Sequence, residues 1–169
     1  MIRVFLSLGS NQGNRHQFLE AALHELGAHD AVRVIARSRV YETEPWPEQR
    51  VARERWDLHC AVEIETALTP RRLLRLLQEI ETHAGGSREP VVPSPIAQRT
   101  LDIDILLYGS EVLSAHDLQI PHLLLHERRS VLAPLAEIAA DVEHPVLYRS
   151  IRELLDETED RRGIFPYLP

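Results

Sequence analysis

The chain has 169 residues, 44% of them hydrophobic, which suits one domain over residues 1–169 with a substantial core and argues against wholesale disorder. Its formal net charge of −7 disfavours a nucleic-acid partner, and its longest apolar runs fall far short of a membrane span. All 19 of its Lys and Arg residues are Arg, which excludes both a P-loop lysine and a Schiff-base lysine.

Any phosphate chemistry must therefore use Arg, His, backbone N–H groups or metal. The single Cys60 cannot form an internal disulfide, and no charged-then-apolar signal segment opens the chain. The expected compartment is the cytoplasm.

Ile2 to Leu8 reads as a first strand, followed by a Gly9-Ser10-Asn11-Gln12-Gly13-Asn14 turn. Asn14 is placed to cap a helix from Arg15 to Leu26, with Phe18, Ala22 and Leu26 at helical spacing and Gly27 as its stop. Val32 to Tyr41 reads as a second strand. A long polar loop follows to about Arg55 and includes Thr43, Pro45 and Trp46; such loops commonly bind ligands or act as lids. Trp56 to Glu65 alternates as a third strand, with Leu58, Cys60, Val62 and Ile64 on one face and Asp57, His59, Ala61 and Glu63 on the other. Thr69-Pro70 opens a second helix to about Ala84, stopped by Gly85-Gly86. Ser87 to Gln98 has three prolines and no period, so it reads as a second long loop.

The next stretch, Arg99-Thr100-Leu101-Asp102-Ile103-Asp104-Ile105-Leu106-Leu107-Tyr108, carries the chemistry. As a strand it places Asp102 and Asp104 on one face and Leu101, Ile103 and Ile105 on the other, in a core. Adjacent carboxylates repel unless a cation sits between them, and Mg²⁺ with substrate phosphates is a natural partner for such oxygen donors. Arg99 offers a planar fork for phosphate. The same pattern is also what a charged edge strand presents to solvent. Beyond it, Val112-Leu113 and Leu118 to Ile120 suggest a short ribbon. Pro121-His122 precedes a helical region from Leu125 to Ala140, Tyr148 to Asp156 reads as a last short helix, and the tail is weakly specified. The order βαββαβ with additions predicts an α+β fold, a ferredoxin-like α/β sandwich with a mostly antiparallel sheet.

Gly9-Ser10-Asn11, Tyr41-Glu42-Thr43, Arg99 to Asp104, Ile120-Pro121-His122, His126-Glu127-Arg128 and Pro134 to Ile138 occur in this order. Together they resemble the 6-hydroxymethyl-7,8-dihydropterin pyrophosphokinases, a folate-pathway family, over roughly residues 2 to 145. The resemblance implies transfer of the β,γ-diphosphate of ATP to a pterin hydroxymethyl group, with AMP released. It implies that Asp102 and Asp104 hold two Mg²⁺ ions, and that Asp104 also polarises the attacking hydroxyl. Arg88, Arg99, His122 and Arg128 match residues on or near the nucleotide phosphates. Gln78 and Glu81 match helix positions near the nucleotide, and Ile105 matches an apolar contact to adenine.

The acceptor side departs from the family pattern. Where the family places two aromatics around the pterin, this chain has Asp57 and Ser130; His59 stands where the family has Asn. Gly86 and Ile96 replace an Arg and a Trp of the second long loop. Each aromatic face stacked on a base is worth roughly 1–3 kcal/mol, so losing both is expected to weaken pterin binding unless Trp46 or Trp56 substitutes. Thr43, Pro45, Trp46, Asp57, His59 and Ser130 are the expected acceptor residues. The expected partners are ATP and a small alcohol, pterin by default. The alternatives are a kinase or diphosphokinase acting on another hydroxymethyl compound, and a non-catalytic nucleotide-binding paralogue.

Overall fold

A computed structural model describes residues 1–45, 52–85 and 100–169 of the protein. Trp46, Arg88 and Arg99 lie outside the described residues. Among those described, no helix is long and apolar enough to cross a membrane.

The first strand, β1 (Ile2–Ser10), leads to helix α1 (Arg15–Ala28), whose cap is Asn14 as its sequence position suggests: the Asn14 side chain accepts the Gln17 N–H at 3.3 Å. Gly27 does not stop this helix. It keeps helical backbone, and His29 ends the helix with its N–H on the Leu26 carbonyl at 3.4 Å. The expected second strand is two strands, β2 (Val32–Arg37) and β3 (Tyr41–Thr43), both paired to β4 (Asp57–Thr66). Ser38 makes the break possible. Its hydroxyl accepts the Ala61 N–H at 2.9 Å and donates to the Arg39 carbonyl at 2.7 Å, so a side chain stands in for a ladder bond.

Helix α2 (Pro70–Gly85) follows, then β5 (Asp102–Tyr108) and the ribbon β6 (Leu113–Ser114) with β7 (Gln119–Ile120). Helix α3 (Arg129–Ala139) begins later than its apolar pattern suggests, because residues from His122 to Arg128 form turns; the Leu125 N–H, for one, bonds the His122 carbonyl at 3.0 Å. A capping box, Ser150 with Glu153, opens α4 (Ile151–Glu157). The tail ends in a strand the sequence did not announce, β8 (Ile164–Pro166), paired to β3.

The sheet order is β5-β1-β4-β3-β8, with β2 also on β4 and every pairing antiparallel. This is a ferredoxin-like sandwich with its second strand broken and an outer strand added. One sheet face carries Leu6, Leu8, Leu58, Ile64, Ile103 and Ile105 and packs on Leu19 and Leu26 of α1 and Leu73 and Leu77 of α2. The other carries Phe5, Ala61, Leu106 and Leu107 and packs on Leu132 and Leu135 of α3 and Ile151 of α4. Strict alternation along β5 fails at one point. The register jumps from Leu6↔Ile105 to Phe5↔Leu107, leaving Leu106 as the extra residue of a bulge. The bulge brings Leu107 onto the face of Leu106 and sends Tyr108 to the opposite core.

Candidate active site

Asp102 and Asp104 open β5 on the α3 side of the sheet, while Leu101, Ile103 and Ile105 are buried on the other side, as the alternation requires. The outer edge of β5 is covered from two directions. The Glu81 carboxylate, on α2, accepts the Ile103 N–H at 2.7 Å, and the His122 N–H bonds the Leu106 carbonyl at 2.9 Å. The second contact lays His122 beside the acidic pair, with Nε2 at 3.8 Å from Asp104 Oδ2. His122 Nδ1 accepts the Leu124 N–H at 3.2 Å, so the neutral ring carries its proton on Nε2, toward Asp104. Burial pushes the His122 pKa below its ordinary value, the charge of Arg128 adds to this, and Asp102 opposes it.

Asp104, His122, Ile103 and Ile105 line a cleft of about 470 Å³, a size suited to a small ligand. Its apolar wall includes Leu74 of α2 and Leu118, and its rim is the turn of the β6–β7 ribbon, Ala115 to Asp117. Arg71 of α2 holds that rim by an ion pair to Asp117 at 2.7 Å. The sequence suggests the ribbon, but not that it borders Asp104. Gln78 is exposed on α2 and is not among the described residues that line the cleft. Another cavity, about 500 Å³, lies between α4 and the tail, lined by His126, Glu127, Leu154 and Asp160 among others; it holds none of the predicted site residues.

Two carboxylates on one strand face, half-open to solvent at Asp104, form a hard-oxygen donor set that fits Mg²⁺. Among the described residues no group of three or more His, Cys, Asp or Glu gathers into a cage.

Of the expected acceptor residues, Thr43, Asp57 and His59 lie on the α3 side of the sheet. Thr43 is paired with Asp57 and Tyr41 with His59. Thr43 and Pro45 are buried, and Asp57 and His59 are part-exposed, with His59 Nε2 at 3.9 Å from Asp57 Oδ2. The His59 ring packs closely against Gly9: a Cβ at Gly9 would stand 3.1 Å from both Cε1 and Nδ1. Gly9 is paired with His59 on one side and Asp102 on the other. His59, Gly9 and Asp102 therefore form one cross-strand row, and glycine is what lets the imidazole cover it. Ser130 is buried in the first turn of α3, the helix that packs on β4 and β3.

Trp56 does not cover Asp57. It stacks on Phe165 with centroids 6.2 Å apart, and Phe165 is paired with Glu42, which is itself paired with Leu58 on the α1 side. The Arg53 guanidinium caps both rings, at 5.5 Å from Trp56 and 5.3 Å from Phe165, and binds Glu42 at 2.6 Å. Arg15 adds bonds to Glu42 at 3.3 Å and to the Trp56 carbonyl. Nothing in the local sequence signals this cluster, because it depends on a tail strand.

The comparisons with known proteins point to one family. The family model for 7,8-dihydro-6-hydroxymethylpterin-pyrophosphokinase (HPPK) matches residues 5–140. The chain is 41% identical over 142 residues to the 2-amino-4-hydroxy-6-hydroxymethyldihydropteridine pyrophosphokinase of Methylorubrum extorquens, covering 84% of this chain and 85% of that one. It is 44% identical over 139 residues to the protein of that name from Bacillus subtilis, covering 82% and 79%. The crystal structure of wild-type Plasmodium falciparum HPPK-DHPS shares the fold, with a TM-score of 0.71 at 17% identity over 92% of this chain. The chain spans 44% of that structure's length. The protein belongs to the HPPK family.

Proposed function

We infer that the protein transfers the β,γ-diphosphate of ATP to the hydroxymethyl group of 6-hydroxymethyl-7,8-dihydropterin, releasing AMP. The observation that carries this reading is the placing of Asp102 and Asp104 on one strand face, with His122 at 3.8 Å from Asp104, beside a cleft of about 470 Å³. In the reaction the acceptor oxygen bonds the β-phosphorus, the bond from that phosphorus to the bridging oxygen of the α-phosphate breaks, and the hydroxyl proton is released. Asp102 and Asp104 would hold Mg²⁺, two ions by the family pattern, which would supply charge compensation for the nucleotide phosphates. The Asp104 carboxylate faces the acceptor hydroxyl and His122 donates Nε2–H toward phosphate oxygen. Arg128, Arg88 and Arg99 add guanidinium forks. Ile105 and Leu74 form an apolar wall for adenine, Glu81 holds the strand in place, and Gln78 flanks the nucleotide.

On the acceptor side, Thr43, Pro45, Trp46, Asp57, His59 and Ser130 surround the pterin in this reading, in a pocket altered from the family pattern. The support is that Asp57 and Ser130 offer no ring and that Trp56 is committed to the opposite face. One observation favours a second reading, in which the acceptor is a smaller or cationic hydroxymethyl compound: the Asp57 carboxylate lies part-exposed, 3.9 Å from His59. The cytoplasm is the compartment we propose, since ATP is the co-substrate. Incubation with Mg-ATP and the dihydropterin, followed by separation of adenine nucleotides, tests the assignment. AMP appearing only with the pterin present is the expected result; ADP, or no turnover, would contradict it.

A further inference from the structure

We propose that Asp160 and Arg162, in the tail beyond the family match, are positioning residues that set the separation of the two walls of the acceptor pocket. The proposal rests on the acceptor reading above. One wall is the end of β3, Thr43 to Pro45; the other is the start of α3, Arg128 to Ser130. The tail ties them together. The Asp160 side chain is 3% exposed, and its Oδ2 accepts the Arg129 N–H at 2.8 Å, in the first turn of α3. Its Oδ1 accepts the Arg162 N–H at 3.1 Å and Nε–H at 2.8 Å, and the Arg162 guanidinium also donates to Oδ2. Arg162 Nη1 then donates to the Glu44 carbonyl at 3.3 Å. The next residue closes the link twice: Gly163 N–H donates to Glu44 Oε2 at 2.7 Å, and Glu44 N–H donates to the Gly163 carbonyl at 3.1 Å. Upstream, the Thr158 hydroxyl donates to the Glu127 carbonyl at 3.1 Å, anchoring the tail to the turn before α3.

Residues 158–163 thus run from one wall to the other through a buried, bidentate ion pair, a geometry that fixes distance as well as charge. The family model ends at residue 140, so this strap belongs to the part of the chain that the match does not cover. None of these contacts falls on the aspartates or the cleft beside them. Cutting the strap should therefore act mainly on the acceptor, since small misplacements of a pocket wall are costly and the nucleotide side is reached only through Arg128, next to the anchored Arg129 N–H.

The test compares Arg162→Ala, Asp160→Asn and Arg162→Lys with the wild type, measuring KM for the dihydropterin, KM for Mg-ATP and kcat. The expected result is a pterin KM raised on the order of tenfold in the first two variants, a clearly smaller change in the Mg-ATP KM, and partial recovery in Arg162→Lys. If Arg162→Ala fails to fold, Asp160→Asn carries the same test, because it keeps an acceptor for the Arg129 N–H. Leu26→Ala, which opens the α1 core on the other face of the sheet and touches no strap residue, supplies the structural control and should leave the pterin KM unchanged. Equal pterin KM values in wild type and strap variants, or an equal rise in Leu26→Ala, would overturn the proposal while leaving the acceptor reading intact. A wild type that does not use the pterin at all would overturn that reading, and the strap's role with it.

Discussion

The Glu81 carboxylate accepts the N–H of Ile103, the residue between Asp102 and Asp104, at 2.7 Å. The bond fills an edge position of the sheet and fixes the strand segment from which both aspartates project. Glu81→Ala leaves a part-buried N–H without this acceptor, and the expected loss is about 1–3 kcal/mol of stability together with a fall in kcat. Glu81→Gln keeps an oxygen acceptor and should retain most of both. Denaturant unfolding and turnover on the two variants check this; equal effects in both would show that the charge of Glu81, not its hydrogen bond, is what matters.

Asp102→Ala and Asp104→Ala should each lower phosphate transfer by roughly a hundredfold or more, as expected for losing a group that organises transition-state charge. The melting temperature without metal should stay level or rise, because neighbouring carboxylates repel each other. Retained turnover with a large drop in melting temperature would make the aspartates structural.

Acid should destabilise the protein through two histidines. Burial, with the Arg128 charge, lowers the pKa of His122; burial, with His126, lowers that of His144, against a hydrogen bond to its own backbone. In both cases the folded value lies below the unfolded value of 6.5. The unfolded chain therefore binds more protons in between. The stability they contribute is complete above that pH and is lost as pH falls through the folded values. Proton NMR of the imidazoles should give midpoints below 6.5 for both residues, and melting should weaken below that pH. Midpoints above it would contradict the burial argument.

The acceptor pocket gives an asymmetric prediction. Asp57 is part-exposed and can take a ring, so Asp57→Tyr should tighten dihydropterin binding by recreating one stacking face and removing a charge. Ser130 is buried at 7% exposure, so Ser130→Phe should overpack the start of α3 and cost about 1–3 kcal/mol of stability. Fluorescence titration of the pterin against both variants, with thermal melts, measures the difference. Tight binding by the wild type, unimproved by Asp57→Tyr, would show that another group already fills the stacking role.

Much of this site is written locally. The alternation from Leu101 to Ile105 places two aspartates on one face, and Asn14 announces the first helix by its own side chain. Alternation likewise assigns Leu58, Cys60, Val62 and Ile64 to one core. What is not legible depends on partners distant in sequence. The break at Ser38 works because its hydroxyl reaches Ala61, and the bulge at Leu106 shows only in the pairing with Phe5 and Leu6. Gly9 under His59 requires the register of two strands, and the strap at Asp160 requires the tail to cross to Glu44. A period of two or 3.6 residues encodes which face a side chain takes, not which strand lies beside it.

The central claim is that a diphosphate, not a single phosphate, moves to the pterin. Phosphorus NMR of a reaction with Mg-ATP and 6-hydroxymethyl-7,8-dihydropterin tests it directly, because the β- and γ-phosphorus must leave the nucleotide together. The account predicts two mutually coupled signals from a pterin diphosphate and one uncoupled signal from AMP, growing in equal amounts. A single uncoupled pterin phosphate signal beside the coupled pair of ADP would contradict it.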